Sequence, residues 1–215
     1  MNRPAPFLLL LGLALSGCQT PAPNAPSAGP AIVVEEPESW RGTATPAGEA
    51  AIEALDGRWA AALEESRRRG AGRTLAAEAP LLDPQVKLPR AAPAPGPYRC
   101  RLLRIGITGG RTRSVAPVKS GFCFVGVEGD QLSFTSDISG YRLGGYLYDA
   151  ASSAQLVFLG ASAPARGRAP GYGEEPAKDV AGRLERVDEF RYRLAIAGPA
   201  ATELHVLELI PAPRS

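Results

Sequence analysis

The apolar residues of this chain follow a helical period before residue 80 and a strand-like alternation after residue 98. In the first part they recur at spacings of three and four, which places them on one stripe of a helix, at Ile52, Leu55, Trp59 and Leu63. Thr45 supplies the N-cap and Pro46 the first helical residue, while Gly70 ends the helix. The pattern therefore predicts a helix with one buried face.

A second helical piece is predicted from Thr74 to Ala79, because Pro80 stops it. The next residues, Leu81-Leu82-Asp83-Pro84, are typical of a turn that packs two leucines. The predicted helical part therefore spans residues 45–80.

From residue 98 onward, short runs of β-branched and aromatic residues are separated by Gly, Pro, Asp and Ser, as in antiparallel all-β domains. Eight strands are predicted, at Tyr98–Ile107, Phe122–Glu128, Gln131–Ser136, Arg142–Tyr148, Gln155–Leu159, Val180–Val187, Phe190–Ala197 and Glu203–Ile210. Several of their connections are short enough for hairpins, so neighbours along the chain should pair.

A meander of eight strands removes its exposed edges by closing on itself. We therefore expect a mainly β fold, an antiparallel up-and-down β-barrel of about eight strands over residues 98–211, in preference to a sandwich. The N-terminal helix is expected to pack on the barrel, covering one end or one side. Together these parts form a single predicted domain at 40–212.

The first 17 residues predict export and lipidation. An apolar run from Phe7 to Leu15 follows Arg3 and ends in Leu15-Ser16-Gly17-Cys18, the pattern of a bacterial lipoprotein signal peptide. The run is too short for a membrane-spanning helix, which needs about 20 apolar residues. Cleavage before Cys18 would leave that cysteine to carry lipid, and more than one acyl chain gives stable anchoring. The alternative is an ordinary signal peptide with a chance cysteine.

Residues 18–39 are predicted to be the lipidated cysteine and a tether, because they are rich in Pro, Ala and Ser and have no sustained period. Gln19 after the cysteine, rather than aspartate, is typical of lipoproteins sent to the outer membrane of Gram-negative bacteria. We therefore expect the domain to be lipid-anchored at the periplasmic face of the outer membrane.

Charge and composition exclude some functions. Without residues 1–17, the chain carries 23 basic and 22 acidic side chains, so it lacks the positive field of a nucleic-acid-binding protein. We expect a monomer with no nucleic-acid partner, cofactor or metal. The chain has one histidine and no C-x-x-C pair, so it offers few metal ligands.

Cys100 and Cys123 are the cysteines that remain beside Cys18, an even pair in an oxidising compartment, which favours a disulfide. A loop centred near Thr112 would bring their strands together and place the two residues roughly opposite each other. Buried free thiols are the alternative.

The chain also resembles an uncharacterised bacterial family, domain of unknown function 4893, over nearly the whole range from Trp40 to Pro211. The residues that carry the resemblance are Leu81-Leu82-Asp83-Pro84, Gly96, Tyr98, Cys100, Arg101, Phe122, Cys123, Arg142, Gly145, Val157-Phe158-Leu159-Gly160, Tyr172-Gly173, Asp179-Val180, Gly182, Glu185-Arg186, Arg193-Leu194, Val206-Leu207-Glu208-Leu209 and Pro211. The family's usual polar turn Gly-Ser-Gln-Arg is replaced here by Ser139-Gly140-Tyr141-Arg142. The resemblance supports the fold and the compartment and implies no chemistry.

The sequence is poor in candidate catalytic groups. His205, the single histidine, lies on the last predicted strand with Glu203 and Leu207 on its own face, and we expect it to face solvent in a structural role. Asp179 and Glu185 are the most plausible acid and base, although carboxylates more often pair with arginines such as Arg183 or Arg186. We therefore expect no enzymatic activity.

A group of tyrosines and one arginine is the candidate binding site: Tyr141, Arg142, Tyr146 and Tyr148. Alternation along the strand puts Arg142, Tyr146 and Tyr148 on one side, and tyrosine and arginine are favoured at binding hot spots. The alternative, which we favour here, is that both later tyrosines fill the barrel interior or its rim while Arg142 pairs with an acid such as Glu185 or Glu208.

These observations predict a lipid-anchored binding or interaction module that holds a small apolar ligand in the barrel or an envelope protein at its rim. One alternative is a lysozyme-inhibitor-like protein, an analogy of architecture and of the Ser139–Tyr148 region alone. The other is an envelope hydrolase in which Asp179 and Glu185 converge in a cleft.

Overall fold

The computed structural model describes residues 40–108, 114–138, 140–164 and 166–213, without the side chains of 118 and 119. The predicted signal peptide (1–17), and the predicted tether with its lipidated Cys18 (18–39), lie outside the described residues.

Eight antiparallel strands follow one another around a closed barrel. They are β1 (Gly96–Ile105), β2 (Val115–Glu128), β3 (Gln131–Ile138), β4 (Tyr141–Asp149), β5 (Gln155–Ser162), β6 (Asp179–Asp188), β7 (Arg191–Ala197) and β8 (Leu204–Pro211). Each strand pairs with the next, and β1 pairs with β8. The prediction of an up-and-down barrel of eight strands is confirmed.

Strand β2 begins earlier than predicted, at Val115 instead of Phe122. Its first residues pair with the end of β1 through Leu103↔Pro117 and Ile105↔Val115, after a shift in register between Arg101 and Leu103. Pro117 concealed this part of the strand in the sequence, because proline is tolerated in sheets mainly at edges and irregularities.

The barrel interior is filled by side chains from alternate positions of all eight strands. At its centre, the rings of Phe134 and Phe158 pack edge to face, with centroids 5.6 Å apart. Gly145 and Gly160 lie opposite each other on β4 and β5. A Cβ on Gly160 would clash with the Gly144 carbonyl oxygen of β4 and would lie 2.5 Å from the Phe158 ring, so glycine is required both for this strand pairing and for the ring to fit.

Among the described residues, four helices precede the barrel, namely α1 (Trp40–Thr43), α2 (Pro46–Glu53), α3 (Leu55–Arg68) and α4 (Gly72–Ala77). The Thr45 hydroxyl caps α2 by accepting a hydrogen bond from the Gly48 amide at 3.2 Å, as predicted.

The prediction of a single helix is wrong in one respect, because the helical segment divides at Ala54 into α2 and α3. The division lets the two parts pack on different strands. Ile52 packs beside β5 and β6, whereas Leu55 and Trp59 pack on β1, β7 and β8. The helices therefore cover one side of the barrel.

Arg193 on β7 fixes the segment after α4 to this side. Its side chain is fully buried and donates hydrogen bonds to the backbone carbonyls of Leu81, Asp83 and Val86 at 2.6–3.0 Å. The guanidinium also stacks on the Trp59 ring, 4.5 Å from its centroid. The turn at residues 81–84 is thus held by one buried cation.

Candidate binding site

A groove of about 810 Å³ lies on the outer face of β2, β3 and β4, where the connection between β5 and β6 runs beside the strands. This volume is in the range of pockets that hold small molecules. The groove is thus the candidate binding site.

Two phenylalanines form one side of the groove. Phe122 and Phe124 are 66% and 52% exposed, and they lie two residues apart on β2, so both rings are on the outer face. Large apolar side chains exposed together on a soluble domain mark interaction sites. Tyr146 on β4 adds a third aromatic ring.

An ion pair and a hydrogen bond to a carboxylate line the groove between these rings. The Arg142 Nε lies 3.3 Å from the Asp137 Oδ1, and the Tyr146 hydroxyl donates a hydrogen bond of 2.8 Å to the Glu128 carboxylate. This hydrogen bond to the charged Glu128 raises the pKa of Tyr146 above its ordinary value. The phenol therefore stays protonated at neutral pH.

The β5–β6 connection, which forms the opposite wall, is tied at both of its ends. The Arg142 guanidinium donates to the Pro164 carbonyl at 2.7 Å, and the Asp179 carboxylate accepts from the Gly173 amide at 2.9 Å. The Tyr172 hydroxyl accepts from the Thr45 amide at 3.2 Å, which joins this wall to the start of α2. These contacts form the groove before any ligand arrives, which lowers the entropic cost of binding.

The structure divides the predicted group of tyrosines and arginine. Arg142 and Tyr146 line the groove, and Tyr148 shares their outer face but packs beside Trp40 and Val157. Tyr141 lies on the opposite face, against the barrel core. The favoured alternative is wrong for the tyrosines, because Tyr146 and Tyr148 are outside the barrel. Arg142 does pair with an acid, which is Asp137 rather than the named examples Glu185 and Glu208.

A second polar cluster lies inside one mouth of the barrel. His205 Nε2 is 3.0 Å from Glu203 and its Nδ1 is 3.2 Å from the Tyr141 hydroxyl, while Arg104 Nε donates to Glu203 at 2.8 Å. Since a carboxylate only accepts, the neutral imidazole donates from Nε2 and accepts the phenol hydrogen at Nδ1. The cluster is internally satisfied.

The expectation that His205 faces solvent is wrong. Both faces of β8 are buried, one by the barrel core and the other by α3, so His205 lies inside beside Leu207. Burial lowers the pKa of His205, against the opposite effect of Glu203. Burial raises the pKa of Tyr141 above its ordinary value.

The predicted carboxylate pair does not converge. Asp179 and Glu185 lie on one face of β6 but six residues apart, about 20 Å along a strand. Glu185 is fully buried and pairs with Arg193 at 2.6 Å and with Arg183 at 3.1 Å. The two carboxylates named for the hydrolase alternative are therefore not brought together, whereas the predicted pairing of Glu185 with Arg183 is present.

The disulfide between Cys100 and Cys123 is present, and both residues are buried in the barrel interior. They are not directly opposite, because Cys100 pairs with Gly121 and Cys123 with Tyr98. The bond therefore runs diagonally between β1 and β2, with the two Cα atoms 5.8 Å apart.

Phe122 and Phe124 were missed as site residues because their hydrophobicity was interpreted as strand core. The signal was present in Phe122-Cys123-Phe124, because a cysteine that faces the barrel interior places both neighbours outside. Asp137, Glu128 and Arg168, which also line the groove, carry no comparable signal.

Within the described part of the chain, no group of three or more His, Cys, Asp or Glu side chains is placed to hold a metal ion. None of the described helices is long and apolar enough to cross a bilayer.

Fold and site together define a small, closed, disulfide-bonded antiparallel barrel with helices packed on one side and a groove on its outer wall. The chain belongs to the family described as Domain of unknown function (DUF4893), which it matches over residues 40–209. Neither a curated protein nor a solved structure matches it. The match confirms the resemblance noted from the sequence, and it runs from the first helix into β8.

Proposed function

We propose that this protein is a non-enzymatic binding module, lipid-anchored at Cys18 to the periplasmic face of the outer membrane, whose ligand or partner occupies the outer groove. The observation that carries the proposal is the exposure of Phe122 and Phe124 beside a preformed groove. The absence of enzymatic activity is supported by the separation of Asp179 from Glu185.

The groove replaces the barrel interior as the proposed ligand site. Core side chains such as Phe134, Phe158 and Leu184 occupy the interior and are fully buried. A ligand in the interior would have to displace them, whereas the groove is open.

The uncharged aromatic dye Nile red tests the groove. The chain from residue 18 with Cys18→Ser should raise the dye's fluorescence, and Phe122→Ser with Phe124→Ser should remove most of that rise. Phe190→Ser is the matched control, because Phe190 is 64% exposed on the hairpin between β6 and β7 and does not line the groove. Equal fluorescence from all three proteins would contradict a site in the groove.

The anchor is tested separately in cells. Metabolic labelling with an alkyne analogue of palmitate should mark the wild-type chain and leave Cys18→Ser unmarked. Labelling of the Cys18→Ser variant, or none of the wild type, would contradict lipidation at this residue.

A further inference from the structure

We propose that the ligand of the outer groove is an uncharged glycan whose pyranose rings lie on Phe122 and Phe124 and hydrogen-bond to the polar residues of β3 and β4. This inference rests on the proposed function and names the chemical class of its ligand.

The outer side chains form three rows across β2, β3 and β4. Strand register gives the rows Phe122–Asp137–Arg142, Phe124–Thr135–Gly144 and Gly126–Ser133–Tyr146. Neighbouring rows are about 7 Å apart, because they are separated by two residues along each strand. Aromatic rings and hydrogen-bonding groups therefore stand side by side on the outer face.

The charges of the described lining disfavour a strongly charged ligand. This lining contains two carboxylates, Glu128 and Asp137, and two guanidinium groups, Arg142 and Arg168. Their positive and negative charges balance, so the described lining has no excess of one sign to attract an anionic lipid headgroup, a nucleic acid or a charged peptide.

The polar rows also disfavour a purely apolar ligand. An acyl chain lying between Phe124 and Tyr146 would remove Ser133 and Thr135 from water without offering them a hydrogen bond, and such burial is costly. A glycan can pair with both the aromatic rings and the polar rows of the groove. The C–H groups on one face of a pyranose ring carry partial positive charge and pack on the negative face of an aromatic ring, while its hydroxyls pair with Ser, Thr and carboxylate groups.

The test uses the chain from residue 18 with Cys18→Ser, labelled with ¹⁵N, and the tetramer of β-1,4-linked N-acetylglucosamine as probe. The amide signals of Phe122, Thr135 and Tyr146 should shift on titration. Phe122→Ser with Phe124→Ser should weaken binding at least about tenfold, since each stacked ring contributes to affinity. Phe190→Ser should bind like the unsubstituted chain, and all these side chains are exposed, so the fold is retained.

An acidic tetrapeptide, a neutral Ala- and Ser-rich tetrapeptide and Nile red are titrated in parallel. Failure of the tetrasaccharide to shift these amides, with Nile red still bound in the groove, overturns the glycan assignment and leaves the proposed function standing. Stronger shifts with either peptide than with the tetrasaccharide also overturn it. Failure of every probe in the groove overturns both proposals.

Discussion

Arg193→Met should strongly destabilise the domain, because Arg193 is the buried cation that joins β7 to the turn at residues 81–84. The substitution keeps an apolar stem of similar length but removes the ion pair with the fully buried Glu185. It also leaves the carbonyls of Leu81, Asp83 and Val86 without their donor.

The magnitude follows from burial. Removing one partner of a buried ion pair costs about 3–5 kcal/mol. The lower end applies here, because Arg183 stays 3.1 Å from Glu185, and any carbonyl that stays dry adds about 1 kcal/mol or more. A domain of this size is stable by about 5–15 kcal/mol. With an assumed m-value of about 2 kcal/mol per molar urea, the unfolding midpoint should fall by about 2 M.

Urea unfolding followed by tryptophan fluorescence measures this effect, since Trp59 lies under the Arg193 guanidinium. Arg41→Met is the matched control: Arg41 also stacks on a tryptophan, Trp40, and pairs with Glu49, but it is exposed. Its midpoint should change little, because solvent screens surface pairs. Equal midpoints for the two variants would refute the assignment of Arg193 as a buried structural cation.

Three further predictions concern the barrel. Stability should fall as the pH drops below about 6.5, because burial lowers the pKa of His205 from its ordinary 6.5 and the unfolded chain therefore takes up the proton first. In His205→Gln the urea midpoints at pH 7.5 and 5.5 should converge. The substitution should remove a dependence of unfolding free energy on pH of at most about 1.4 kcal/mol per pH unit. Replacing both Cys100 and Cys123 by alanine should cost about 3 kcal/mol for a separation of 23 residues, measured by urea unfolding without reductant, and an unchanged midpoint would contradict it. Gly160→Ala should cost about 1–3 kcal/mol by overpacking against Phe158. Gly57→Ala, in open space on α3, should instead stabilise the domain by about 0.5–1 kcal/mol. Thermal melts that rank these two variants the other way would contradict the packing argument.

The barrel was predictable because segments of β-branched and aromatic residues are separated by turn residues, and several connections are of hairpin length, which leaves few ways to pair eight strands. The division of the helix at Ala54 was not, since it depends on which strands lie beneath each half. The early start of β2 was concealed by Pro117, whose fit depends on a shift in register that the sequence does not display.

The candidate site was predicted only in part, for a physical reason. Alternation assigns residues to two faces, but it does not identify the inner face where both are covered. On β8, Leu204 and Val206 are buried under α3 while Leu207 and Leu209 are buried in the barrel, so the position of His205 could not be read from the pattern. The buried Arg193 was equally concealed, because an arginine on an outer face normally indicates solvent.

The hydrogen bond between Tyr172 and Thr45 gives the groove a mechanical connection to the N-terminal end of the domain. At the capped start of α2 the Tyr172 hydroxyl is held by the Thr45 amide and side chain. Tyr172 belongs to the wall of the groove, and Trp40 packs directly on Val157 and Leu159 of β5. The N-terminal end of the domain is therefore coupled both to the groove wall and to the closed barrel behind it.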